Sequence, residues 1–279
     1  MPIGRRLTTC PTNMRRLIVN ADDFGYNHDV NEGIVEGHRC GILTATTLMA
    51  NGNAFDNAVA LARETPSLDV GCHVVLVEGR SVLDPSRELP STVKDLIQAL
   101  LRRGHFLLYE EIAAQVRKLI GAGIHPSHID SHKHTHLLPP VLEAVAKVAR
   151  EFDIQWVRRP FDFGIDDRAR IVKRAVALGM GLMRPRFASA LNGLRTTDHF
   201  TGFQVTGALN DERLARTLEQ LPEGLTEFMC HPGRLGPELR SARTRLKESR
   251  AIELAALVSP GTRSALERYG IELVGFRGI

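Results

Sequence analysis

Short apolar segments alternate with amphipathic helical segments along most of the chain, and this alternation restricts the fold more than any other feature. Residues 17–20, 42–50 and 68–76 have the apolar, β-branched composition of buried strands. Residues 30–39 and 53–65, which lie between them, carry apolar side chains at helical spacing. Strands that are each followed by a helix are typical of a parallel sheet covered by helices. The sequence therefore predicts an α/β protein.

Polar clusters follow several of the predicted strands, and their number favours a barrel. They occur at residues 20–25, 71–76, 127–136 and 230–233. In an α/β barrel the loops at the carboxyl ends of many strands build one site, whereas a doubly wound sheet collects its ligand at a switch point. Four such clusters favour the barrel. Neither GxGxxG nor a P-loop follows the first strand, which argues against a nucleotide-binding site.

Length and composition narrow the class of protein. With 279 residues, 43% hydrophobic and 24% charged, the chain can bury a sizeable core. A net charge of +4 with only 5% aromatic residues argues against nucleic acid as a partner and leaves contact with an anionic membrane surface open. No apolar run is long enough for a membrane span. We expect a cytoplasmic protein, with reduced cysteines and an oligomeric state that the sequence does not define.

The chain divides into a short arm and one domain. Residues 1–13 lack the apolar region of a signal peptide and precede a second methionine, Met14. We expect a disordered arm, or a translation start at Met14, followed by a single domain over 14–279 without repeats or a low-complexity linker. Residues 161–205 give only weak strand signals.

The first candidate site is Asp22-Asp23, in NADDFG directly after the first strand. Two adjacent carboxylates at the end of a buried strand repel each other unless a cation or solvent compensates. Their adjacency suits one metal ligand and one nearby base. The alternative is structural, with one carboxylate capping the next helix and the other solvated.

The second candidate site combines the segment HIDSHKHTH with His73 of GCHVVL. If the segment is extended, Asp130, His132, His134 and His136 share one face. Carboxylate and imidazole ligands with no cysteine indicate a catalytic divalent-metal centre, in which Asp130 can orient a ligating histidine. The alternatives are a solvated surface strand for this segment and a structural role for His73.

Two further segments offer acid–base and binding groups. His231, in MCHPG at the end of an apolar strand, can act as a general acid or base, or bond the backbone of its turn. Glu227 of the same strand can hold a partner. Arg158 and Arg159 can bind an anionic or hydroxyl-rich substrate, but adjacent strand residues face opposite ways, so at most one is expected to face the site.

Five segments in this order, RRLIVNADDFG, GILTATTLMANG, GCHVVL, HIDSHKHTH and MCHPG, resemble the YdjC-like carbohydrate deacetylases, a branch of the polysaccharide-deacetylase-type barrels. The resemblance runs from about residue 14 to the last residues of the chain. LNGLRTTDHFTGF and the HKHTH variant are most similar to the hopanoid-biosynthesis-associated deacetylases, and the chitooligosaccharide deacetylases come next.

The resemblance implies a distorted TIM-like (β/α) barrel and one divalent metal ion, Mg²⁺ or Zn²⁺. It implies three metal ligands, Asp23, His73 and His132, with Asp22 as general base and His231 as general acid. The residues expected to contact substrate are His134, His136, Arg159, Asp130 and Asp198.

The leading hypothesis is a metal-dependent N-deacetylase for an acetylated amino sugar, carried on a glycosylated hopanoid lipid. A chitooligosaccharide such as a diacetylchitobiose is the alternative substrate. A metal-dependent phosphoesterase, which would use two metals and a bridging carboxylate, and a non-catalytic sugar-binding barrel are the alternative functions. A lipid aglycone favours an apolar entrance, and residues 171–187 are the candidate segment for it and for peripheral contact with the inner membrane face.

Overall fold

Eight parallel strands form one sheet in the computed structural model, which describes residues 14–102, 107–164 and 171–279. The strands are β1 (Arg15–Phe24), β2 (Ala45–Leu48), β3 (Asp69–Val74), β4 (His128–Ser131), β5 (Trp156–Val157), β6 (His199–Thr201), β7 (Gly224–Cys230) and β8 (Ile271–Leu273). The order across the sheet is β5-β4-β3-β2-β1-β7-β6, with β8 beside the first residues of β1.

Helices follow most of the strands and cover the outside of the sheet. Among the described residues they are α1 (His28–Arg39), α2 (Phe55–Glu64), α3 (Val93–Leu101), α4 (Leu108–Gly121), α5 (Pro139–Glu151), α6 (Ile171–Gly181), α7 (Arg184–Ala190), α8 (Asp211–Glu219), α9 (Pro237–Ser241), α10 (Glu248–Val258) and α11 (Pro260–Tyr269). The predicted helices at 30–39, 53–65 and 139–152 agree with α1, α2 and α5 to within a few residues.

The sheet curls until its two ends meet. β5 and β6 are the last strands at either end of the sheet order, and parallel bridges join Trp156 to Arg195 and Asp162 to Phe200. The amide of Phe163 also donates to the carbonyl of Phe200 at 2.8 Å. Because isolated bridges rather than a continuous ladder connect the ends among the described residues, the closure is irregular. The predicted distorted α/β barrel is confirmed.

Alternation along the strands sorts side chains into a helix-facing layer and a barrel interior. Leu17 and Val19 of β1 belong to the core beneath the helices, whereas Ile18 points the other way. Ile18 belongs to a small apolar cluster that closes the lower barrel with Ala45, Trp156, Leu225 and Phe276. Two residues further along each strand the interior is polar. The polar site therefore lies directly next to an apolar cluster inside the barrel.

The histidine-rich segment differs from its predicted extended form. β4 ends at Ser131, and residues His132–Leu137 form a 3-10 turn. Lys133 and His134 have left-handed φ values of 53° and 51°, which L-residues adopt at a cost in free energy. The predicted common face for Asp130, His132, His134 and His136 is therefore wrong, because the chain turns immediately after Ser131.

The remaining predictions concern residues 161–205, the N-terminal arm, membrane-spanning helices and the cysteines. The weakly patterned residues 161–205 contain α6, α7 and β6 within their described part. Residues 1–13, for which we predict an arm, lie outside the described residues. Across the described ranges, every helix is too short or too polar to cross a membrane. The described cysteines, Cys40, Cys72 and Cys230, are free thiols, as expected.

Candidate metal centre and active site

Asp23, His73 and His132 come together at the carboxyl ends of β1, β3 and β4. Oδ1 of Asp23 lies 3.4 Å from Nε2 of His73 and 3.2 Å from Nδ1 of His132. One ligand atom from each residue lies within 4.8 Å of the others, a spacing that suits a shared cation. The three residues that the family resemblance implies as ligands are therefore neighbours, although up to 109 positions separate them in the sequence.

His73 is oriented from behind by a second carboxylate. Its Nδ1 lies 2.7 Å from Oδ1 of Asp130, and the hydroxyl of Thr47 lies 3.1 Å from the same nitrogen. Burial alone would lower the pKa of His73, but the charge of Asp130 raises it to about 10. This carboxylate–imidazole arrangement holds the ring in one orientation and aims Nε2 toward Asp23, as in many metal sites.

His132 lies between Asp23 and the acidic side chain of Glu78. Its Nε2 is 3.5 Å from Oε2 of Glu78, whose other oxygen is 2.7 Å from Nζ of Lys133. Burial would lower the pKa of His132, but the nearby carboxylates of Asp23 and Glu78 raise it. The contact with His132 lowers the pKa of Glu78 to about 2. Glu78 is half-exposed and forms the rim of this part of the site.

Asp23 is held by a buried arginine from α10. Its Oδ2 pairs with Nη2 of Arg250, whose side chain is only 2% exposed. Burial would raise the pKa of Asp23, but the Arg250 charge and the two imidazoles keep it well below its usual range. The backbone of Asp23 has a left-handed φ of 70°, which turns its side chain away from the direction that Asp22 takes.

The residues fit a divalent cation. Oδ1 of Asp23 and Nε2 of His73 are buried without a hydrogen-bond partner in the described chain, although unpaired buried polar atoms are costly. One carboxylate and two imidazoles that face each other are a donor set for Zn²⁺ and similar divalent ions. Bound metal would satisfy both orphaned atoms.

Asp22 points into the barrel, where it meets Arg158. Oδ1 and Oδ2 of Asp22 accept bonds from Nη2 and Nη1 of Arg158 at 2.7 and 2.8 Å. Nη1 also lies 2.6 Å from Asp130, and Nε donates to Glu227 at 2.7 Å. Burial would raise the pKa of Asp22, but the Arg158 charge lowers it. Asp22 is thus ionised and held in one orientation by a bidentate contact.

The Arg158 network contains more negative than positive charge. Arg158 contacts three carboxylates, and one of them, Glu227, has an oxygen without a hydrogen-bond partner among the described residues. Burial, partly offset by Arg158, raises the pKa of Glu227 to about 7. Three carboxylates around one guanidinium favour a further positive charge nearby, which the raised pKa of His73 also reflects.

His231 lies on the other side of Asp22. Its Nε2 is 3.9 Å from Oδ2 of Asp22, and its amide donates to Oε2 of Glu253 at 2.6 Å. Burial lowers the pKa of His231 to about 4 and raises that of Glu253 to about 7. The imidazole is therefore neutral at pH 7.

The remaining predicted substrate residues are dispersed. Asp130 lies behind His73, and His136 is buried with its Nδ1 2.5 Å from Ser131. His134 packs against aromatic rings beside the site, 5.7 Å from the ring centre of Phe203. The structure does not bring Asp198 to the site, because its carboxylate accepts from the amide of Leu225 at the opposite end of β7.

Of the two adjacent arginines, Arg158 joins the cluster, and Arg159 instead donates to the main-chain oxygen of Asp198. The prediction that only one of them faces the site is consistent with this arrangement, but the structure selects Arg158. Sequence analysis missed Arg250, Glu253, Thr47 and Glu78. None of them carries a local signal, because two reach the site from α10 and the others from β2 and from the loop after β3.

The chain also matches known proteins over almost its whole length. A family model for YdjC-like proteins matches residues 16–268. The carbohydrate deacetylase of Brevibacillus brevis is 34% identical over 94% of this chain and 98% of its own. The chitooligosaccharide deacetylase of Serratia marcescens is 33% identical over 94% and 98%. The crystal structure of a protein from Enterococcus faecalis V583 superposes with a TM-score of 0.71 at 23% identity, covering 95% of this chain and 98% of that one, which shows the fold.

The fold and the site define the class, a parallel α/β barrel with a carboxylate–imidazole cluster at the carboxyl ends of its strands. The match to the family model and the relatives above 30% identity identify the family within this class. The chain belongs to the YdjC-like family.

Proposed function

We propose that the protein is a metal-dependent hydrolase that removes the acetyl group from an N-acetylated amino sugar. Its family and its relatives, which include carbohydrate deacetylases from a bacterium and from mouse, make it a carbohydrate deacetylase. The observation that carries the metal-dependent mechanism is the convergence of Asp23, His73 and His132 beside Asp22.

The proposed roles follow from charge and position. A divalent ion held by Asp23, His73 and His132 would polarise the acetamide carbonyl and lower the pKa of water. Asp22 accepts the proton of the attacking water, since Arg158 holds it ionised at the edge of the cluster. Asp130 orients His73 throughout.

His231 protonates the departing amine in this proposal. Because its pKa is lowered to about 4, the imidazole begins neutral and must gain a proton before it can donate one. Asp22, at 3.9 Å, is the nearest group that acquires a proton during the attack. A short movement would transfer that proton through His231 to the amine, which leaves with acetate as the other product.

A phosphoesterase is the competing enzyme class, and the structure disfavours its second metal. Asp22, His73 and Asp130 form a second group of close ligand atoms. Arg158, however, pairs with both carboxylates of that group at 2.6–2.8 Å. The guanidinium therefore already supplies a positive charge there, which supports the proposal of a single metal held at Asp23.

The particular sugar is a further proposal. Resemblance to the hopanoid-associated deacetylases favours an amino sugar linked to a hopanoid lipid, and relatives such as the Serratia marcescens enzyme favour a chitooligosaccharide. Acetate release from an N-acetylglucosaminyl glycolipid, compared with release from diacetylchitobiose, separates the two. We expect the glycolipid to be the better substrate by kcat/KM, and the opposite order would assign the chitooligosaccharide.

Asp22→Asn tests the proposed function directly. We expect it to bind one equivalent of Zn²⁺ with nearly unchanged affinity, because Asp22 is paired with Arg158 and lies outside the ligand set. Acetate release should fall by about 100-fold or more, the usual contribution of a general base. Wild-type turnover in Asp22→Asn would reject this base. Glu272→Gln, an exposed substitution in β8, is the matched control and should retain both properties.

A further inference from the structure

The exposed apolar side chains of the described residues are concentrated in one segment. Eleven large apolar side chains are exposed, and five of these lie between positions 171 and 182. They are Ile171 (81% exposed), Val172 (73%), Val176 (45%), Leu178 (58%) and Leu182 (84%). α6 has no buried residue among its described positions. An exposed apolar patch of this kind marks an interaction surface.

The same segment is basic. Lys173, Arg174, Arg184 and Arg186 lie within or next to it, and neither aspartate nor glutamate occurs from 171 to 197. We call these four residues, together with the five exposed apolar ones, the α6 surface. These residues extend from α6 into the first turn of α7, and neighbouring apolar and basic side chains are typical of helices that lie on anionic membranes. Like charges on two copies would repel each other, which disfavours a second copy of this chain as the partner.

The α6 surface borders the candidate active site. Nζ of Lys173 donates to the main-chain oxygens of Phe203 and Gln204 at 3.4 and 3.3 Å. The ring of Phe203 packs against His134, two residues after the proposed ligand His132. On the next helix, the ring of Phe187 lies 5.9 Å from that of His136. A membrane against this surface would lie beside the histidine-rich turn.

We propose that the α6 surface docks the protein onto an anionic lipid bilayer. The apolar side chains enter the interface between headgroups and acyl chains, and the arginines pair with lipid phosphates. Docking presents the histidine-rich turn to molecules anchored in the bilayer. The identity of such a substrate rests on the proposed function, but the docking itself does not and is measured without turnover.

Co-sedimentation with vesicles tests the proposal. The full-length protein is mixed with vesicles of phosphatidylcholine alone or with 30% phosphatidylglycerol, a composition chosen as roughly that of a strongly anionic bilayer. We expect binding to the anionic vesicles, weaker binding to neutral ones, and a decrease as salt is raised. Leu182→Glu and Arg186→Glu should each reduce binding by about tenfold, since they introduce repulsion from anionic lipid.

Matched variants elsewhere control for general changes in charge and hydrophobicity. Leu101→Glu replaces a side chain that is 77% exposed on α3, and Arg268→Glu reverses a charge exposed on α11. Both should bind as the wild type does. Failure of the wild type to bind anionic vesicles, or equal binding by Leu182→Glu, would overturn the proposal. A dimer in sedimentation velocity that Leu182→Glu dissociates would also overturn it, by assigning the surface to a second copy.

Discussion

The carboxylates of Asp22 and Asp23 can both be ionised although they are adjacent, because the backbone directs each of them toward a different arginine. Asp22 continues the inward alternation of β1 and meets Arg158. At Asp23 the left-handed φ of 70° turns the chain, and the second carboxylate meets Arg250. A left-handed φ outside glycine is uncommon and tends to occur at functional sites. Here it separates the proposed base from the proposed ligand.

Arg250 is a positioning residue in this arrangement, and its removal should weaken metal binding. The guanidinium holds Oδ2 of Asp23, which leaves Oδ1 facing the two imidazoles. In Arg250→Met the carboxylate can rotate, and we expect Zn²⁺ affinity to fall by about 10- to 100-fold, as when other supporting contacts are lost. Titration calorimetry on the metal-free protein measures this.

Arg250→Lys keeps the charge and should recover part of the affinity. Arg263→Met is the matched control, because Arg263 donates to the main-chain oxygens of Cys40 and Gly41 at the surface, away from the Asp23 cluster. Unchanged Zn²⁺ affinity in Arg250→Met would show that Arg250 serves packing alone.

At the scale of the elements, the alternation of side chains along the strands explains which residues form the polar site. It also explains which part of the site can be predicted from the sequence. β4, β5 and β7 each place an inward-facing residue and then, two positions on, an acidic or basic one. These pairs are His128 and Asp130, Trp156 and Arg158, and Leu225 and Glu227. The sequence predicts that polar groups end the strands, because apolar runs stop there.

The sequence does not show which of two neighbouring residues faces the barrel interior. Arg158 and Arg159 are chemically identical, and only the register of the two-residue β5 decides which one faces inward. The turn after Ser131 was also missed, since alternating histidines give no signal for a left-handed backbone at Lys133. Arg250 lies 227 residues from Asp23, so that pairing depends on tertiary packing alone.

The network between β1, β4, β5 and β7 should make stability depend on pH through Glu227. Its pKa of about 7 in the folded protein exceeds the ordinary value of 4.5. The unfolded chain therefore loses the proton at lower pH, and the stabilisation present below about pH 4.5 is lost as the pH rises to about 7. A shift of this size corresponds to roughly 3 kcal/mol.

Glu227→Gln removes this titration and keeps an oxygen for Arg158 Nε. We expect the free energy of unfolding of the wild type to fall relative to that of the variant between pH 5 and 8, as measured by urea denaturation. Glu267→Gln, an exposed substitution on α11, should follow the wild type. Parallel pH profiles for wild type and Glu227→Gln would contradict the role of Glu227.

At the scale of the whole molecule, the barrel joins distant segments of the chain at one end. The candidate site draws on β1, β3, β4, β5, β7 and α10, from Asp22 to Glu253. The strand–helix rhythm and the motif order were enough to predict this end as the active face, because parallel strands share a direction. The irregular closure through Asp162 and Phe200 rests on isolated bridges that leave no pattern in the sequence.

Metal binding should therefore stabilise the entire barrel, since the ion would connect the ends of β1, β3 and β4. Zn²⁺ at about 100 times its dissociation constant adds about 2.7 kcal/mol to the free energy of unfolding, or roughly 5 °C in Tm for a chain of this size. We expect this shift when metal is returned to EDTA-treated protein, with one equivalent bound per chain.

His132→Ala should lose the shift, because it removes a ligand. His28→Ala, which alters an exposed imidazole paired with Glu238, should keep it. Two equivalents per chain would instead favour the phosphoesterase, and an unchanged shift in His132→Ala would place the metal elsewhere.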